Sequence, residues 1–204
     1  CICGGALREY LQHHEELPTD SLVAWVPINA RPTKTHGTEN AGNRITSMTA
    51  RIFTDIGDPT DRLRAIAAAT HESKEARAGV SARLMTDLSQ HVPAATLVTA
   101  GRLVMRAGMA ANICNLFISN VPGPQQPLYM NGAQQILTYG MAPLADGMGL
   151  FIATPSYNGT ISFNVTSTRE TMPDVDFFVE CIRKALDAML KAVKPKRQRR
   201  KTVT

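Results

Sequence analysis

Residues 149–167, GLFIATPSYNGTISFNVTS, carry no charged side chain and contain one obvious place to turn. Asn158-Gly159 suits a two-residue hairpin loop, because both residues tolerate the positive φ that a type I′ turn requires. The stretch therefore predicts two antiparallel strands, GLFIATPSY and TISFNVTS, with Ile161, Phe163 and Val165 alternating along the second. The low charge extends well beyond the hairpin. From Ala107 to Thr168, sixty-two residues include a single charged side chain, Asp146, where the chain-wide 19% predicts about twelve. A segment so depleted is not expected on a solvated surface. It supplies two further predicted strands, NLFISN and AQQILTYG.

Upstream, SLVAWVPINAR is apolar nearly throughout and reads as a strand covered on both faces. NRITSMTARIFT returns as a second strand, with Ile45, Met48 and Ile52 as its apolar positions. The segment DPTDRLRAIAAATHESKEA opens a helix: Asp58 caps it, Pro59 suits the first helical position and Asp61 lies three residues after the cap. Two more helical segments are predicted near Ser81–Gln90 and Ala94–Met109. An N-terminal helix over Cys3–His14 buries Leu7, Tyr10 and Leu11, exposes Arg8, Gln12 and Glu15, and is stopped by Pro18 and Asp20. A closing helix capped at Thr171–Asp174 carries the stripe Val175, Phe178, Ile182, Leu186, Met189 and Val193, expected to pack on the sheet. The sum is an α/β domain, a mixed sheet backed by helices, over residues 1–193, followed by a basic tail, 194–204, read as disordered.

The formal charge of +5 belongs to that end of the chain. Lys191, Lys194, Lys196, Arg197, Arg199, Arg200 and Lys201 stand there without an acid, and the remainder has 15 basic and 17 acidic residues. The body is therefore no nucleic-acid binder. The tail reads first as a solvated terminus and second as a segment attracted to anionic lipid headgroups. Nucleic acid ranks third, because the tail offers no aromatic ring for stacking on bases. Four scattered cysteines form no disulfide framework and no zinc knuckle, which suits a reducing compartment. No apolar run is long enough to span a bilayer. The chain starts at Cys1 in what reads as a helix already under way, so it is expected to begin inside a longer protein.

Chemistry-bearing residues are sparse. His13 and His14 are adjacent, so on a helix they point about 100° apart and cannot converge on one proton. They read as solvent-exposed residues at a helix end. No H-x-x-x-H or H-E-x-x-H spacing links the other histidines, and no metal site is expected. There is no G-x-S-x-G elbow around Ser119 and no phosphate loop around Gly147 and Gly149. In Cys3-Gly4-Gly5-Ala6 the small residues signal close helix packing. What remains is NLFISNVPGPQQPLY, Asn115–Tyr129. There a strand runs into Pro122-Gly123-Pro124, a rigid, backbone-defined corner. It serves either as a structural turn or as the lining of a cleft for an apolar ligand.

These blocks carry a resemblance. CGGALREYL, LVAWVPINAR, GNRITSM, DPTDRLRAI, ISNVPGP with its spacing to SYNG, and PDVDFFVECIRKAL resemble the C-terminal half of the bacterial wax ester synthase/acyl-CoA:diacylglycerol acyltransferase family. The resemblance implies one of two chloramphenicol-acetyltransferase-like subdomains enclosing a tunnel. It also implies an H-H-x-x-x-D-G catalytic motif in an N-terminal half, and acyl-CoA with a fatty alcohol or diacylglycerol as substrates, with no cofactor. The second histidine of that motif would be the general base that takes the acceptor hydroxyl's proton. His13-His14 lacks the Asp-Gly and lies in the wrong half, so no catalytic residue is assigned to this chain, and the 204 residues alone are expected to be inactive. Tunnel-corner candidates are Asn120, Val121, Pro122, Gly123 and Pro124, with Asn43 and Asp146 as second choices. The partners implied are the N-terminal subdomain and, through the tail, an anionic membrane surface. The implied location is cytoplasmic, or peripheral on the inner membrane face or on lipid inclusions. Two rival readings stand beside this one: a non-catalytic lipid-binding module, and a related acyltransferase with a different hydroxyl acceptor.

Overall fold

The computed structural model describes residues 1–29, 45–77, 93, 95–96, 99, 103, 114–144 and 149–193. In chain order the elements are α1 (Ile2–His13), β1 (Val23–Asn29), β2 (Ile45–Arg51), α2 (Pro59–Arg77), β3 (Leu116–Pro122), β4 (Tyr129–Met130), β5 (Ala133–Gln134), β6 (Leu150–Tyr157), β7 (Thr160–Ile161), β8 (Asn164–Ser167) and α3 (Val175–Val193). They fall into two compact units. One comprises Cys1–Ser21, Ile52–Ala67 and the chain from Asp174 onward; the other comprises Leu22–Arg51 and Ala68–Pro173.

The second unit is built on a mixed sheet with the order β2-β1-β3-β6-β7, and β8 also pairs with β6. β1 and β2 are antiparallel over seven residues each, from Val23 opposite Arg51 to Asn29 opposite Ile45. β3 lies parallel to β1 on one side and to β6 on the other. Trp25 stacks on Phe117 across the first of these pairs, with ring centroids 5.7 Å apart. In β6, Leu150, Ile152, Ala153, Pro155 and Tyr157 are buried, and Phe151, Thr154 and Ser156 are half-buried. β1 buries Ala24 but leaves Val23, Trp25, Val26 and Ile28 half-buried, so it is less covered than its apolar run implies.

The hairpin forms where expected. Asn158 and Gly159 have φ of 45° and 77°, both in the left-handed region that a type I′ turn uses. Its second strand differs from expectation, being split into β7 and β8 around Ser162 and Phe163. The pairing register is continuous, Tyr157 opposite Thr160 and Ala153 opposite Asn164, which sets Pro155 opposite Ser162. Pro155 has no N–H to donate, so the ladder loses a bond at that point. Ile161 is exposed, and Phe163 and Val165 are only half-buried. The strand expected over AQQILTYG also shrinks, to Ala133–Gln134 paired with β4. Both edges of β6 are already taken, by β3 and by β7 with β8, and β6 offers residues 135–140 no place in the sheet.

In the first unit, α1 packs against α3. Leu7 and Tyr10 on α1 and Phe178, Cys181, Ile182 and Ala185 on α3 are buried, and Tyr10 meets Phe178 edge to face at 5.5 Å. The buried stripe of α3 is thus 178, 181, 182 and 185, rather than the longer stripe expected. Val175, Leu186 and Val193 are exposed, and Met189 is half-buried. Gly4 and Gly5 are needed for closeness, as expected: a Cβ on Gly4 would overlap the Ile52 carbonyl oxygen, and one on Gly5 would stand 2.6 Å from Arg62 Nη1. α1 stops at His13, before Pro18. His14 caps it and Glu15 takes a left-handed φ of 58°, with the Glu16 N–H returning to the Leu11 carbonyl at 2.8 Å. α2 begins as predicted: Asp58 Oδ1 accepts the N–H groups of Thr60 and Asp61 at 2.8 and 2.9 Å, which holds its carboxyl below the usual carboxylate range.

The helix predicted over Ser81–Gln90 lies outside the described residues. Of Ala94–Met109, only 95, 96, 99 and 103 are described; they are helical, and Thr99 Oγ1 donates to the Ala95 carbonyl at 2.7 Å.

Candidate functional site

Because β3 and β6 are adjacent and parallel, their carboxyl ends lie side by side. Asn120 is opposite Thr154, Val121 opposite Pro155 and Pro122 opposite Ser156. Beyond such ends is where open α/β sheets form their ligand crevices. The chain leaves β3 at the predicted corner, which β6 and its turn hold in place. Gly123 N–H donates to Ser156 Oγ at 3.2 Å, and Asn158 N–H donates to the Pro124 carbonyl at 2.9 Å. Gln125 bridges the two pieces: its Nε2 donates to the Gly123 carbonyl at 3.0 Å, and its Oε1 accepts from Gly159 N–H at 3.1 Å. At Gly123 any Cβ would overlap the Ser156 carbonyl oxygen, so the glycine is required for approach and not for an unusual φ.

Of the residues singled out from the sequence, Asn120, Val121, Pro122, Gly123 and Pro124 come together at this corner. Four are exposed and Gly123 is half-buried. Asn43 and Asp146 lie outside the described residues. None of the five side chains titrates near neutral pH, so the corner can shape and exclude but cannot move a proton.

Reading the sequence missed the residue that secures the excursion after the corner. Tyr157 is buried, and its hydroxyl accepts from Leu128 N–H at 2.8 Å and donates to the Gln135 carbonyl at 2.9 Å. Gln135 N–H also reaches the Leu128 carbonyl at 2.9 Å, closing the base of the β4–β5 hairpin. The tip of that hairpin is Asn131-Gly132, with φ of 49° and 81°. It is the same dipeptide as in the larger hairpin, and this was the signal available in the sequence. Farther on, Ser162 Oγ donates to the Thr138 carbonyl at 2.8 Å, and Gly140 lies against Ala153 and Pro155 of β6.

Part of the charge-poor stretch, from Tyr129 to Met141, is not buried as expected. Met130, Ile136 and Met141 are 80, 87 and 86% exposed, and Tyr129 and Tyr139 are exposed too. The stretch is an apolar outer surface, larger than the isolated apolar side chains common on monomers.

The remaining reactive groups are inert or structural. Burial raises the thiols of Cys3 and Cys114, and burial followed by Glu9 pushes Cys181 up to about 11. A protonated thiol is a poor nucleophile. His13 is exposed as expected, but His14 is not free in solvent: its Nε2 lies 3.1 Å from Asp174 Oδ2, and the Tyr10 hydroxyl donates to Asp174 Oδ1. Tyr10's hydrogen bond, then His14's charge, hold the Asp174 carboxyl below the usual carboxylate range. The expected cap at the start of α3 is thus replaced by a tie to α1. Among the described residues, no three His, Cys, Asp or Glu side chains converge as a metal site would require.

The mixed sheet with its helices has the fold class of the CoA-dependent acyltransferases, as its match to a solved structure shows. Comparison with known proteins then places the chain. Residues 41–190 match the family model of the WS/DGAT C-terminal domain, and the chain belongs to that family. It is 34% identical, over 194 residues, to a provisionally named diacylglycerol O-acyltransferase of Mycobacterium tuberculosis, covering 94% of this chain and 42% of that protein. It is 33% identical over 174 residues to the O-acyltransferase WSD of Acinetobacter baylyi, covering 84% of this chain and 36% of that one. Among solved structures, the wax ester synthase/diacylglycerol acyltransferase from Marinobacter aquaeolei VT8 superposes with a TM-score of 0.70 at 25% identity, over 94% of this chain and 41% of the other. The chain spans about two fifths of the length of these relatives. All three bear acyltransferase names, and a non-catalytic lipid-binding module is not favoured.

Proposed function

We propose that this chain is the C-terminal part of an O-acyltransferase that moves a fatty acyl group from acyl-CoA to a fatty alcohol or diacylglycerol, and that its corner lines the substrate tunnel. The observation that carries the reading is the corner itself. Asn120–Pro124 project from the carboxyl ends of a parallel strand pair, are tied by backbone to β6 and its turn, and carry no charge. Thioester attack by a hydroxyl needs a place where two long apolar chains meet and water, the competing acceptor, is kept out. An uncharged wall with a fixed backbone suits that task. The proton-moving base lies elsewhere in the protein, since the corner has none to offer.

The exposed apolar surface from Tyr129 to Met141 supports the same reading. An N-terminal part of the kind the longer relatives possess is the partner that covers it. No described helix is long and apolar enough to cross a membrane. We assign membrane contact instead to the basic tail, 194–204, at the cytoplasmic membrane face or on lipid inclusions. Binding to anionic vesicles that fades with salt and disappears on deletion of 194–204 is the expected result.

The test of the reaction uses the full-length protein with acyl-CoA and, separately, a fatty alcohol and a diacylglycerol. Ester formation with at least one acceptor, reduced by Gly123→Val, is expected. Failure with both acceptors, or turnover by the 204 residues alone, overturns the reading.

A further inference from the structure

The first unit contains a cleft of about 260 Å³ between α1, the start of α2 and α3. Nothing in the reading of the corner uses it. Its floor is Arg62, which is 4% exposed although it carries a full charge. The guanidinium is held from behind: Nε donates to the carbonyls of Phe53 and Ile56 at 3.2 and 3.1 Å, and Nη2 donates to those of Ile56 and Gly57. Arg8 is held in the same manner, its Nη1 donating to the carbonyls of Thr54 and Asp55 at 2.7 and 3.1 Å. Carbonyl groups fix these side chains without neutralising them. Among the described residues neither guanidinium forms an ion pair with a carboxylate. The third cation of the cleft, Lys184, is paired with Glu9 at 2.7 Å.

The cleft therefore holds two fixed positive charges with no carboxylate in hydrogen-bond contact, Asp58 and Asp55 acting on Arg62 only from a distance. A Cβ at position 5 would stand 2.6 Å from Arg62 Nη1, so Gly5 lets that nitrogen lie close against α1 at the edge of the cleft. Burial, and then the charge of Arg8, lower the pKa of Arg62, and Asp58 and Asp55 offset this only in part. A bound anion would offset it further.

We infer that Arg8, Arg62 and Lys184 form a binding site for a phosphoryl group. A phosphomonoester carries a charge of about −1.5 to −2 at neutral pH and is complementary in sign to the two guanidinium groups, neither of which is hydrogen-bonded to a carboxylate. Guanidinium forks fit phosphate oxygens in pairs, and the Gln12 amide on the rim adds a neutral donor. The volume lies below the roughly 300–1,000 Å³ of pockets that enclose a whole drug-sized ligand, so the site takes the phosphoryl group and leaves the rest of the ligand outside. The inference does not rest on the acyl-transfer reading.

The experiment is calorimetric titration of the full-length protein at constant ionic strength with three probes: inorganic phosphate, adenosine 3′,5′-bisphosphate, and phosphatidylcholine vesicles with and without phosphatidic acid. Binding of at least one phosphate-bearing probe is expected, weakened at least tenfold in an R8Q/K184Q double variant. Tightest binding of the bisphosphate identifies a nucleotide phosphate as ligand, response to phosphatidic acid alone identifies a lipid headgroup, and response to inorganic phosphate alone identifies the free ion. Should the double variant not fold, Lys184→Gln at the exposed rim must by itself weaken binding at least threefold. No binding of any probe, or binding unchanged in the variants, overturns the inference.

Discussion

Gly123 and Ser156 touch through both backbone and side chain: the Ser156 hydroxyl accepts the Gly123 N–H at 3.2 Å, and its carbonyl oxygen occupies the space a Cβ on Gly123 would need. Gly123→Ala must therefore push β3 and β6 apart at their carboxyl ends. The expected cost is about 1–3 kcal/mol, as for other overpacked sites. Chemical denaturation of the full-length protein measures it. A variant as stable as the native protein would mean that the corner yields freely, which a fixed tunnel wall cannot do.

Tyr157→Phe keeps the buried ring and removes only the hydroxyl. It leaves the Leu128 N–H without its acceptor and the Gln135 carbonyl without one donor. Loss of about 1–3 kcal/mol is expected. Faster hydrogen exchange over residues 128–135 than over β6 would place the damage at the base of the small hairpin; uniform exchange across both would contradict that.

Asp174 supplies a pH dependence whose sign can be stated. Its folded pKa is depressed, first by the Tyr10 hydrogen bond, below an unfolded value near 3.9. A depressed carboxylate adds stability that is complete above the unfolded value and is lost as pH falls through the folded one. The native protein should therefore exceed Asp174→Asn in stability at about pH 5, with the gap closing towards about pH 2. Urea midpoints across that range check it, and a gap constant with pH would show that the carboxylate's charge is not what matters.

Met130 and Met141 report on what covers the apolar surface. Both are at least four fifths exposed in this chain, and thioethers oxidise according to access. Mild peroxide should convert both to sulfoxide rapidly in the 204-residue chain and slowly in the full-length protein. Equal rates in the two would remove the N-terminal part as the cover.

Local chemistry was legible in the sequence. The Asn158-Gly159 turn demands positive φ, the Asp58 cap demands free N–H groups, and Gly4-Gly5 admits a close neighbour; each requirement is met within a few residues or at one contact. What could not be read depends on a distant partner. The uncharged run from Ala133 to Gly140 suggests a strand, but β6 has no free edge to offer it. Pro155 splits the second hairpin strand from across the ladder. At the corner, Pro122-Gly123-Pro124 announced rigidity, yet the reason for its glycine is a carbonyl thirty-three residues away. His14 looked like a solvated helix end because its partner, Asp174, is 160 residues further along. Uncharged sequence was taken for buried sequence, and the two part company where an apolar surface awaits another piece of protein.

The pairing of α1 with α3 joins opposite ends of the chain in time as well as in space. The ribosome completes α1 about 160 residues before it reaches Asp174, an interval of roughly ten to thirty seconds at about 5–20 residues per second. Throughout that interval Leu7 and Tyr10 have no α3 to pack against, while the sheet between them in sequence has time to form. A stop codon before Asp174 would leave α1 without its partner. Loss of α3 is therefore felt first at α1.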